Sequence, residues 1–204
     1  AGTQKKLYKD VYQKVSSAID SLQLQIGAGQ PVSRTQLWNY SKFLQLRELI
    51  DRELGSTGSA QISLLDDVCS KVFEFTLDTT LDRLKPKDKT FTFLNQPNIN
   101  QVLNQRWSGT DYSSRVWSNT NNLAARLKEQ VTNMIVQGKS TEDIKKGLMK
   151  EFNVGYSYAD RLIRTEASYT FNTAAIAGYK EAGVEEVEYL AESDCCEICA
   201  EYSG

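Results

Sequence analysis

The sequence predicts a mainly α-helical chain: an N-terminal helical bundle, an irregular crossover, and a C-terminal helical domain ending in a small β/CxxC element. Three observations predict it. Apolar residues recur every three or four positions through most of the 204 residues, the spacing that lines one face of a helix. Glycine-rich joints punctuate these stretches. Alternation with period two shows in one place, near the C-terminal end.

Leu7, Val11, Val15, Ile19, Leu22 and Ile26 trace one stripe on a helix over residues 4–26, and Gly27, Gly29 and Pro31 end it. Ser33-Arg34-Thr35-Gln36 opens the next, because a serine with a glutamine three residues on satisfies two free amides of a helix start. Leu37, Tyr40, Leu44 and Leu49 give this second helix, 33–54, a looser stripe, and the glycines at Gly55 and Gly58 are expected to break it. A third helix follows over 61–84, with Ile62, Leu65, Cys69, Val72, Phe73, Leu77 and Leu81 facing one way. The short joints make these three an antiparallel bundle, the domain of residues 1–90.

From Lys85 to Thr110 the pattern dissolves. Pro86, Pro97 and the polar run from Asn95 to Gln101 read as an irregular crossover, assigned to 91–110, with a domain division near residue 90. The second domain, 111–204, starts with a helix traced by Val116, Thr120, Leu123, Leu127, Val131 and Met134 or Ile135 and ended by Gly138. Ser140-Thr141-Glu142-Asp143 caps a short helix carrying Ile144, Leu148 and Phe152. A longer one is expected from Tyr156 to Ala182, stopped by Gly183. Its stripe of Ala159, Ile163, Ala167, Thr170, Ala174 and Gly178 is small, so another backbone can approach closely and this helix belongs at the centre of the domain. Val187, Tyr189 and Ala191 then alternate with Glu186, Glu188 and Leu190 as a short strand does. Asp194-Cys195-Cys196 turns out of it.

Composition narrows the function classes. Lys plus Arg is 24 and Asp plus Glu is 26, a net charge of −2, without the basic excess of a nucleic-acid binder. There is no histidine, which excludes Ser-His-Asp triads, Cys-His dyads, imidazole bases and His-containing metal sites within these residues. No apolar run approaches the length of a membrane span. Ala1-Gly2-Thr3-Gln4-Lys5-Lys6 does not read as a signal peptide, and without an initiator Met the chain is expected to be a processed product or part of something longer. Cys195, Cys196 and Cys199 cluster while Cys69 stands apart on an apolar stripe, the usage of a reduced compartment. Residues 181–204 hold eight carboxylates and no Lys or Arg. They form either a solvated acidic edge or a surface for a basic partner or a metal.

Three constellations can carry chemistry. Cys196-Glu197-Ile198-Cys199 is one zinc knuckle, half of a tetrahedral site, with Asp194 as a weaker oxygen ligand. The same residues also allow a reversible dithiol or ordinary reduced cysteines in a turn. On the small-faced helix, Arg161, Arg164, Glu166 and Asn172 stand together. Arg164 and Glu166, two residues apart, lie on different flanks and must find partners elsewhere. They are expected to be buried or half-buried structural anchors, the alternative being a catalytic base and its electrostatic clamp. Trp107 and Trp117 flank Ser113-Ser114-Arg115, either packing the crossover onto the bundle or forming a protein interface. No phosphate loop or dinucleotide fingerprint occurs.

The order Trp107-Ser108-Gly109, Ser114-Arg115-Val116-Trp117, Gly138-Lys139-Ser140, Arg164-Thr165-Glu166 with Asn172, Tyr179 through Gly183, and Asp194 with Cys196-x-x-Cys199 resembles the bacteriophage head-morphogenesis family. These are the minor head proteins of tailed phages, typified by the phage Mu F protein. The resemblance covers residues 105–204. It implies a structural, non-enzymatic virion component, at the head interior or portal vertex after assembly in the bacterial cytoplasm, that assists head assembly and DNA packaging or ejection. The partners it implies are the portal protein and capsid or scaffold proteins, with indirect contact to packaged DNA, no membrane and no small-molecule substrate. Arg161, Arg164, Thr165, Glu166 and Asn172 would be structural, Trp107, Arg115 and Trp117 partner-facing, and Cys196 with Cys199 half of a zinc site completed by later residues. Some family members carry a fused C-terminal enzyme such as an ADP-ribosyltransferase or another toxin domain, and nothing within these 204 residues shows one. Two rival readings remain: a toxin or enzyme using Arg164 and Glu166, and a zinc-dependent nucleic-acid module, whose binding face would need basic residues that the CxxC region lacks.

Overall fold

Capping chemistry sets the helix ends. The computed structural model describes residues 2–27, 29–84, 105–107, 109–188 and 190–201. Among them run six helices: α1 (Gly2–Ile26), α2 (Arg34–Leu37), α3 (Ser41–Leu84), α4 (Tyr112–Val136), α5 (Thr141–Glu181) and α6 (Glu197–Glu201). The capping box before α2 forms as its sequence demands. Ser33 Oγ accepts from the Gln36 amide at 3.2 Å and Gln36 Oε1 accepts from the Ser33 amide at 3.1 Å. Asp111 caps α4 through the Ser114 amide at 2.8 Å, and Ser140 caps α5 through the Asp143 amide at 3.1 Å. Gly138 and Gly183 turn the chain out of α4 and α5 at φ 66° and 77°, a left-handed backbone that costs a residue without Cβ little.

Two expected breaks are not breaks. The helix expected to end at Gly55 continues as α3 through Gly58 to Leu84, and the two helices expected on either side of Gly155 are one, α5. Gly58 and Gly155 serve contact between helices. A Cβ on Gly58 would stand 2.9 Å from the Trp117 ring, and one on Gly155 would stand 2.6 Å from Leu123 Cδ2. An interior glycine costs a helix about 1 kcal/mol, which the packing on both sides outweighs. The expected strand is also absent among the described residues. Residues 184–188 form neither helix nor ladder, Tyr189 lies outside the described residues, and Val187 and Leu190 are exposed. With no neighbouring strand to take its hydrogen bonds and no face to bury, period two alone does not make a sheet. The expected small β/CxxC element is therefore a turn and the short helix α6.

Both cores draw on both sides of residue 90. In the first, Val15 and Ile19 of α1 and Phe43 and Ile50 of α3 meet Leu127 and Val131 of α4 and Leu148 of α5. In the second, Leu65, Phe73 and Leu77 from the far half of α3 meet Val116 of α4 and Leu162 and Ala174 of α5. The expected bundle of residues 1–90 does not close on itself, because α5 lies against α1, α3 and α4. Of the crossover, residues 91–104 and Ser108 lie outside the described residues. Cys69 is buried, as its apolar stripe requires. The small stripe of α5 is buried at Ala159, Thr170, Ala174 and Gly178, but Leu162 and Glu166 take the places expected of Ile163 and Ala167. That shift of one position puts a carboxylate on the buried face of α5.

Candidate functional site

Glu166 is 4% exposed, and both its oxygens are engaged. Arg115, in the first turn of α4, donates Nη1 to Oε1 at 2.9 Å, and Trp107 donates its indole N–H to Oε2 at 3.1 Å. Arg115 Nη2 also donates to the Thr110 carbonyl at 2.8 Å. Residues three apart on a helix share a face, so Tyr169 stands beside Glu166. Its ring stacks on Trp107 with centroids 4.6 Å apart and planes 8° apart. The Tyr169 hydroxyl donates to Gln105 Oε1 at 2.6 Å, and the Arg115 guanidinium lies 5.4 Å from the Trp107 ring centre. This knot ties Gln105, Trp107 and Thr110 to α5. On its α3 side, the Tyr112 hydroxyl donates to the Asp66 carboxylate. Burial, with the Asp66 bond second, raises the Tyr112 pKa, and burial likewise pushes the Cys69 thiol up.

Outside the knot a cleft of about 600 Å³ opens between α4 and α5. Ser114, Arg115, Ser118 and Asn119 form its α4 wall, and Tyr158, Arg161, Leu162 and Thr165 its α5 wall. The Arg161 guanidinium sits 5.0 Å from the Tyr158 ring centre, a cation–π distance. Among the described residues no carboxylate lines the cleft.

The residues singled out in the sequence thus separate. Trp107, Arg115 and Glu166 meet in the knot, while Arg161 and Thr165 face the cleft. Arg164 corrects the expectation of a buried or half-buried anchor: its side chain is 74% exposed and pairs with Asp160 one turn earlier, at 3.0 Å. It has no contact with Glu166, so the catalytic pair considered from the sequence is not assembled. Trp117 packs on Gly58 of α3, apart from Trp107, and Asn172 is exposed. Sequence reasoning missed the Arg115–Glu166 pair, which spans 51 positions, and the roles of Tyr169 and Tyr158. The i,i+4 spacing of Asp160 and Arg164 was the signal that removes Arg164 from Glu166.

Asp194, Cys196 and Cys199 are near in sequence, but among the described residues no three His, Cys, Asp or Glu side chains converge as a metal site. Cys196 is exposed, and the amide and thiol of Cys199 lower its pKa.

No family model matches the chain, and no solved structure does. A curated relative does: over 103 residues the chain is 26% identical to the NAD(+)--arginine ADP-ribosyltransferase EFV of Enterococcus faecalis (strain ATCC 700802 / V583). The match takes in 50% of this chain and 21% of that protein, so the chain corresponds to a fraction of the relative's length. This finding overturns the expectation of a structural, non-enzymatic head component: the relative is named for an enzymatic activity. An arrangement of helix-packing motifs records a fold and leaves open the chemistry of the polypeptide that carries it.

Proposed function

We propose that this chain is a helical part of an enzyme that transfers ADP-ribose from NAD to arginine side chains. The observation that carries the reading is the match to a transferase of that name over half of the chain. The resemblance of residues 105–204 to a family with members fused to ADP-ribosyltransferases points the same way. In such a transfer the bond between nicotinamide and the ribose breaks, nicotinamide leaves with the bonding pair, and a guanidine nitrogen bonds the anomeric carbon and loses a proton. A carboxylate that assists this step must reach the ribose. Glu166 cannot, being buried with both oxygens engaged by Arg115 and Trp107. Its role is positioning: it fixes the Arg115 side chain that forms one wall of the cleft. The part these helices play is therefore to hold and orient, with the reacting carboxylate supplied by other residues of the enzyme.

The test is nicotinamide release. The protein as its gene encodes it, incubated with NAD and a small guanidine acceptor, should release nicotinamide in step with acceptor modification. Folded protein that releases none, with or without acceptor, refutes the reading.

A further inference from the structure

We infer that the cleft between α4 and α5 is a nucleotide-binding site, taking a pyrophosphate-bearing adenine nucleotide of the ADP-ribose type. The inference rests on the transferase reading and names the substrate part that these helices would hold. Three features of the cleft argue for it.

The first is charge. Arg161 lines the cleft, and three carboxylates on the elements that form it are already engaged. Glu166 is held by Arg115 at 2.9 Å, Asp160 by Arg164 at 3.0 Å, and Asp111 by the amide and hydroxyl of Ser114 at 2.8 and 2.9 Å. Among the described residues Arg161 has an aromatic ring beside it and no ion-pair partner. In a chain with more acidic than basic residues, a cavity walled, among the described residues, by two guanidinium groups and no carboxylate is a place for an anion.

The second is the supply of neutral donors. Ser114, Ser118 and Thr165 present hydroxyls and Asn119 an amide at the cleft wall, which suits the oxygens of a pyrophosphate and the hydroxyls of a ribose. The α4 wall is the first two turns of a 25-residue helix, whose N-terminal field favours negative charge. Asp111 at the cap opposes that field in part, so Arg161 carries the main attraction.

The third is shape. The volume of about 600 Å³ lies within the range of small-molecule sites. Tyr158, 41% exposed with Arg161 against its ring, offers a planar surface on which a purine can stack.

Calorimetric titration of the folded chain with ADP-ribose, AMP and inorganic pyrophosphate tests this. ADP-ribose and AMP are expected to bind saturably and to compete with each other. Arg161→Gln should weaken ADP-ribose at least tenfold, and Ser118→Glu, which places a carboxylate in the cleft, should abolish binding. Arg164→Gln, outside the cleft, should change affinity less than twofold, and the melting temperatures of all three variants should match the parent. Absence of saturable binding overturns the inference, as does equal weakening by Arg161→Gln and Arg164→Gln. If pyrophosphate binds as tightly as ADP-ribose, the cleft is a simple anion site and its assignment to a nucleotide fails. Nicotinamide release without nucleotide binding by these helices would sink the inference and leave the transferase reading standing. Nucleotide binding in a protein that releases no nicotinamide would do the reverse.

Discussion

Glu166→Gln is the perturbation that most directly probes the buried face of α5. The side chains of Glu166 and Arg115 are 6% and 20% exposed and 2.9 Å apart. The glutamine keeps the shape and one acceptor but leaves the Arg115 charge buried beside a neutral amide. Removing one partner of a buried ion pair costs roughly 3–5 kcal/mol, and the partial exposure of Arg115 places this pair near 3 kcal/mol. For a chain of this size each kcal/mol shifts the melting temperature by about 2–4 °C, so a fall of about 6–12 °C is expected. Arg164→Ala, which removes an exposed pair on a single helix turn, should cost no more than about 0.5 kcal/mol, a shift of about 2 °C or less. Thermal unfolding followed by circular dichroism distinguishes the two. A further variant separates charge from packing: Arg115→Met combined with Glu166→Gln should melt above Glu166→Gln alone, because no uncompensated charge remains. Equal melting of Glu166→Gln and Arg164→Ala would refute the reasoning, and so would a double variant less stable than the single.

Gly155→Ala should lower stability by about 1–3 kcal/mol in urea unfolding, since its Cβ would meet Leu123 Cδ2 at 2.6 Å. Gly55→Ala, with nothing within 4 Å of its Cβ, should raise stability by about 0.5–1 kcal/mol through helix propensity. Burial holds the phenols of Tyr8 and Tyr112 above their ordinary value of 10.0. The stability they contribute is full below that value and is lost as pH rises through the higher folded values. The urea midpoint should therefore fall as pH is raised above about 10, and less steeply in Tyr112→Phe. Cys196, exposed and with its thiol pKa lowered, should alkylate at neutral pH well before buried Cys69, whose thiol is pushed up; mass mapping of the modified peptides reads the order.

Periodicity and capping made the helices legible before the fold was seen. Ser33, Ser140, Gly138 and Gly183 sit where helix starts and stops require them. The errors fell on glycines read as breaks. Gly58 and Gly155 lie at helix contacts, and a glycine that makes room for a neighbouring side chain looks, in one dimension, like a glycine that ends a helix. The division near residue 90 was misleading for a related reason: a stripe shows that a face is buried and says nothing of which helix covers it. The far half of α3 is covered by α4 and α5. The site was partly legible. Trp107, Arg115 and Glu166 all attracted notice as isolated residues, but their meeting depends on a pair 51 positions apart. Arg164 drew attention for its motif, and the local pairing rule with Asp160 decides against burial.

The most direct measurement offers the protein, as its gene encodes it, NAD and two peptides that are identical except that arginines in one are lysines in the other. Intact-mass analysis then reads each peptide. The account predicts an ADP-ribose adduct on the arginine peptide and none on the lysine peptide. Modification of neither, with the protein folded and NAD intact, would contradict it.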